Sequence, residues 1–158
     1  MDFFTKQVNM FNSAVLRRKA KINEKGIEHY LARAIVGGIS KEGLKAELLG
    51  NTDSFKELCL AISRMIITGN VSCEMYTSVV ICIAEYVGVQ PDGFYIGFCL
   101  PRNFVNYNSE IAKFNEKKNK GEEHPGMANH CYVVINDINY DCFNGDFDVE
   151  HIDVVRMS

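Results

Sequence analysis

Three residues of this chain have types and placement suited to nucleophilic chemistry: Cys73, His130 and Asp141. Before Cys73, Gly69-Asn70 breaks an apolar run and Ser72 offers a capping side chain; behind it an apolar stretch runs to Gly88. That spacing predicts a buried helix with Cys73 in its first turn. There, free backbone N–H groups and the positive end of the helix dipole stabilise a thiolate and pull a thiol below its free pKa of about 8.5. Downstream, residues 130–135 and 138–143 read as two strands of a hairpin turning at Asn136-Asp137. With a two-residue turn, Ile135 faces Ile138, Tyr132 faces Asp141 and His130 faces Phe143. His130, Tyr132 and Asp141 then share one face, with Asp141 diagonal to His130. A carboxylate so placed fixes the tautomer of an imidazole and supports its charged form, while the imidazole takes the thiol proton or holds the thiolate as an ion pair. A slip of one residue would send Asp141 to the other face, so the expectation rests on the turn. Glu74, directly after Cys73, opposes thiolate formation by its charge.

The elements that must position these residues read as α+β, in a single domain over residues 1–158. The first 68 residues are expected to be helical. Phe3, Phe4, Val8, Phe11, Val15 and Leu16 recur at helical spacing and lead into the basic patch Arg17-Arg18-Lys19-Ala20-Lys21, read as a solvated helix end. A second helix is expected over 24–36, stopped by Gly37-Gly38, and a third from a Ser40 cap to about Leu49. A fourth, capped around 51–53, carries the stripe Phe55, Leu58, Cys59, Ile62, Met65 and Ile66. After the Cys73 helix, residues 94–100 have the aromatic and β-branched content of a strand. Residues 102–127 are polar and read as a short helix followed by a mobile loop. The tail from Phe147 to Val155 is expected to add a strand or a turn of helix.

From Gly69 to Phe143, about half the chain, the sequence resembles the transglutaminase-like branch of the papain-like cysteine enzymes, which also includes arylamine N-acetyltransferases and peptide N-glycanases. The matching features are a cysteine opening a buried helix that ends in Gly88 before a strand, the His130-Cys131-Tyr132 start of a later strand, and Tyr140-Asp141 on the next. The resemblance implies a papain/transglutaminase-like core with a helical N-terminal half packed on a small antiparallel sheet. It implies a Cys73, His130, Asp141 triad acting on an amide or acyl bond through an acyl-enzyme, as a protease, amidase, deamidase, transglutaminase or acyltransferase. Asn70, Glu74 and Tyr132 would be oxyanion or positioning residues, and 102–127 an insertion serving as lid or substrate loop. The chain departs from the family pattern in Val71-Ser72-Cys73, where Gly-x-Cys is usual, in Glu74, in a shorter hairpin, and in Ile67, where the papain branch has an upstream glutamine.

Composition bounds the alternatives. The net charge of −3, with 47% hydrophobic and 23% charged residues, gives no electrostatic basis for nucleic-acid binding. The chain shows no secretory signal and no apolar stretch long enough to span a membrane, so a soluble cytoplasmic protein is expected. Cys59, Cys82 and Cys99 fall in apolar segments and no CxxC pair occurs, which favours neither a disulfide framework nor a zinc ribbon. Cys131 and Cys142 read as cross-strand thiols on the face away from the catalytic one, with a zinc half-site or redox pair as the other readings. His124 and His29 read as surface residues, and His151 gives no reading. Three functions share the constellation: an enzyme that needs no cofactor or metal and takes a protein, peptide or small amide; a catalytically inactive interaction protein on the same fold; and a metal-binding protein using Cys73, His130 and Asp141.

Overall fold

The computed structural model describes residues 2–142 and 149–157. Among them are six helices and four strands: α1 (Phe3–Lys25), α2 (Ile27–Ala34), α3 (Lys41–Gly50), α4 (Asp53–Ile66), α5 (Cys73–Val87), β1 (Gly93–Pro101), α6 (Tyr107–Asn119), β2 (His130–Ile135), β3 (Ile138–Tyr140) and β4 (Val149–Arg156). The strands form one antiparallel sheet in the order β3-β2-β1-β4. The architecture is therefore α+β, with a helical first half and a small sheet.

The sheet and helices meet around α5. Its face from Met75 to Ala84 is buried, as the near absence of charge in this stretch predicts. One side packs on α1, where the Ser78 hydroxyl reaches the Val15 carbonyl; another packs on the inner face of β2, formed by the fully buried Cys131, Val133 and Ile135. Across α4 and β3, the Phe55 and Tyr140 rings meet edge to face at 5.6 Å. No helix among the described residues is long and apolar enough to cross a membrane.

Several boundaries depart from the sequence reading. α1 continues to Lys25, so the basic patch lies within the helix, where Lys19 pairs with Glu85 at 2.8 Å. The second helix starts at Ile27 because Gly26 takes φ 86, a left-handed conformation that interrupts the first. Residues 102–127 are folded back onto the body of the protein. Phe114 of α6 stacks on Phe98 at 5.5 Å, and His124 stacks on Phe4 at 4.3 Å while meeting Asp153 at 2.9 Å. Farther along, the Ala128 N–H donates to the Gln7 side chain at 2.9 Å. His124 is thus a half-buried bridge between α1 and β4, not a free surface residue. The tail resolves as β4 on the open edge of β1; its expected start at Phe147 and the facing residue Phe143 lie outside the described residues.

Candidate functional site

Local sequence fixes where α5 begins. Ser72 has extended backbone (φ −84, ψ 157) and its hydroxyl accepts the Met75 N–H at 3.2 Å, so Cys73 is the first helical residue. At the other end Gly88 closes the helix with φ 78. Cys73 is half-buried, at the end where the helix dipole favours negative charge.

The hairpin supplies the second and third groups. Asn136 and Asp137 take φ 54 and φ 61, the paired left-handed conformations of a type I′ turn. The resulting register is the one counted from the sequence: Ile135 faces Ile138, Val134 faces Asn139 and Val133 faces Tyr140. One residue beyond β3, Asp141 reaches the first residue of β2, and His130 Nε2 lies 2.7 Å from Asp141 Oδ2. Both side chains are buried.

Hydrogen bonding joins Cys73 to this pair. The Cys131 thiol, bonded to the Cys73 sulfur, does most to lower the Cys73 pKa; burial opposes it, the hydrogen bond and positive charge of His130 add to it, and Glu74 opposes it last. Together these bring Cys73 down to about 6. For His130, burial works against the charge, but hydrogen bonds to Asp141 and Cys73, with the charges of both, raise it to about 9. Between those values the pair exists as thiolate and imidazolium. Cys131 is pushed the other way, first by its hydrogen bond to the Cys73 thiolate and then by burial. Burial alone raises the Cys59 thiol, and it is the main cause that raises Cys82 to about 12. Cys73 is therefore set apart chemically from these other thiols.

Of the remaining candidates, Tyr132 is buried, stacked on Tyr95 at 5.4 Å and on His151 at 4.2 Å. Glu74 turns toward α1 and lines a groove of about 460 Å³ with Lys6, Met10, Phe11, Ala14 and Arg17. Asn70 is exposed in the bend before α5, and no hydrogen bond ties it to the site among the described residues.

Three participants escape the sequence reading. Cys131 is not remote from the catalytic face: its sulfur lies 3.7 Å from the hydroxyl of Thr77, one helical turn along α5 from Cys73. Alternation correctly turns it away from Tyr132, but that inner face is the one α5 covers. Cys142 is likewise near the site, its ligand atom within 4.8 Å of those of His130 and Asp141. His151 reaches Asp141 from β4, with Nε2 3.5 Å from Oδ2. Compared with family models, curated proteins and solved structures, the chain matches none of them.

Proposed function

We propose that the chain is a cysteine-nucleophile enzyme acting on an amide or acyl bond, with a papain/transglutaminase-like arrangement of Cys73, His130 and Asp141. The observation that carries this reading is a cysteine in the first turn of α5, lowered to about 6 beside a histidine that Asp141 holds at 2.7 Å. The Cys73 thiolate attacks the carbonyl carbon, forming a C–S bond and an oxyanion. The N–H groups of Cys73 and Glu74 at the start of α5 have no intrahelical acceptor and serve as its donors. His130 passes its proton to the leaving amine nitrogen, the C–N bond breaks, and a thioester remains on Cys73. His130, now neutral, takes a proton from water or an acceptor amine as that nucleophile attacks the thioester, releasing the product and restoring the ion pair. Asp141 holds the ring orientation through both steps and supports the imidazolium each time it forms.

The test is covalent. The protein is incubated with a panel of peptides and aryl amides, quenched in acid, and examined by peptide mass spectrometry. An acyl adduct on Cys73 that is absent from Cys73→Ala supports the reading. Absence of any adduct, together with ordinary thiol reactivity at Cys73, would overturn it.

A further inference from the structure

The side of the His130 ring turned toward Asp141 is surrounded by metal-ligating groups. His130, Asp141 and Cys142 each bring a ligand atom within 4.8 Å of the other two. They come from the first residue of β2 and the two residues after β3, so the hairpin register that pairs His130 with Asp141 also delivers Cys142. A fourth donor arrives from β4. His151 Nε2 lies 3.5 Å from the same Asp141 oxygen that His130 meets at 2.7 Å. That nitrogen is buried and makes no hydrogen bond among the described residues, although its ring is held flat against Tyr132 at 4.2 Å. Buried polar nitrogens almost always have a partner, because an unmade hydrogen bond there is costly. Two imidazoles thus meet one carboxylate oxygen beside a thiol, a set of donors that one shared ion can hold in place of protons.

The donor set selects the ligand. A thiolate with two imidazoles and a carboxylate suits zinc and is a poor match for magnesium or calcium, which take oxygen donors. Zinc binds nitrogen and oxygen at about 2.0–2.2 Å and sulfur at about 2.3 Å in a tetrahedron, which places ligand atoms roughly 3–4 Å apart. The His151 to Asp141 separation already falls in that range; the 2.7 Å between His130 and Asp141 has to open, and Cys142, together with His151 from outside the 4.8 Å group, has to close inward.

We propose that His130, Asp141, Cys142 and His151 form a zinc-binding site. Binding replaces the proton between His130 and Asp141 and releases the thiol proton of Cys142 to solvent. The ion takes Nε2 of His130, leaving Nδ1 for the Cys73 sulfur. A metal-held imidazole cannot carry a proton from Cys73 to a leaving group, so zinc is a reversible inhibitor of the enzyme. That consequence rests on the function proposed above; the metal site itself does not.

The experiment uses the full chain, stripped with chelator and titrated with Zn²⁺ or Co²⁺ in competition with a chromophoric chelator. The expected result is one ion per chain and, for cobalt, a thiolate charge-transfer band together with tetrahedral ligand-field bands. Cys142→Ser should remove the charge-transfer band. His151→Phe keeps a ring against Tyr132 and should weaken binding about ten-fold or more, with an unchanged circular dichroism spectrum. Cys73→Ser should retain both stoichiometry and band. No stoichiometric uptake, a band that survives in Cys142→Ser, or one lost in Cys73→Ser would overturn the site. Failure of the enzyme reading shows separately, as loss of selective Cys73 alkylation in metal-free protein while the cobalt spectrum persists.

Discussion

Replacing Cys131 with Ala removes the group that does most to lower the Cys73 pKa to about 6. A hydrogen bond to a charged group contributes about 1.5–3 kcal/mol, and about 1.4 kcal/mol corresponds to a factor of ten in the thiolate population. At pH 6, where about half of Cys73 is ionised in the wild type, the variant should therefore alkylate roughly ten-fold more slowly or worse. Cys131→Ser, which keeps a donor against the sulfur, should restore most of the rate. Cys131 is fully buried, so the alanine variant also leaves a small void costing about 1 kcal/mol. A melting curve confirms that the rates belong to folded protein. The assay is iodoacetamide alkylation of Cys73 against pH, read by peptide mass spectrometry. Superimposable profiles for wild type and Cys131→Ala would refute the assignment of Cys131 as the thiolate's donor.

The ion pair also shapes stability against pH. His130 is raised from 6.5 to about 9 on folding, so its contribution is fully present below pH 6.5 and lost as pH rises through about 9. Cys73 is lowered from 9.0 to about 6, so its contribution is present above pH 9 and lost as pH falls through about 6. Between about 6.5 and 9 the folded and unfolded chains each bind one proton from the pair, and urea unfolding of the wild type should show no slope from it. In Cys73→Ala only Asp141 still raises His130 against burial, so the stability that His130 contributes should be lost as pH rises from 6.5 and at a lower pH than the wild type's value of about 9; a loss that still comes only near pH 9 would contradict the pairing. Gly97→Ala places a Cβ against the backbone of Asp153 and Val154, beside the irregularity at Phe98 and Cys99 where β4 shifts register. It should cost about 3 kcal/mol in thermal unfolding, and a change within about 0.5 kcal/mol would show that the strands part freely. Ser72→Ala removes the α5 cap and should cost about 1 kcal/mol, with unchanged melting as the opposing result.

What the sequence made legible was whatever is decided within a few residues. Ser72 and Gly88 bracket α5, and Asn136-Asp137 sets a register from which the approach of Asp141 to His130 can be counted. Non-local pairing was not legible. Nothing near His151 tells that β4 lies along β1, or that a shift between Phe98 and Cys99 turns the imidazole toward Asp141. Cys131 was misplaced for a related reason: alternation gives its face correctly, but which face receives α5 depends on the packing of two distant elements. The helix boundary at Gly26 was missed because the apolar period continues across it, while a positive φ ends the hydrogen-bond ladder.

The Cys73–His130 pair is tested by site-resolved alkylation of all six cysteines from about pH 5 to about pH 10, on wild type and on His130→Ala. Cys73 should react selectively, with a midpoint near 6, and this selectivity should collapse in the variant. A Cys73 no more reactive than Cys59 or Cys82, with a profile indifferent to His130, would contradict that pairing.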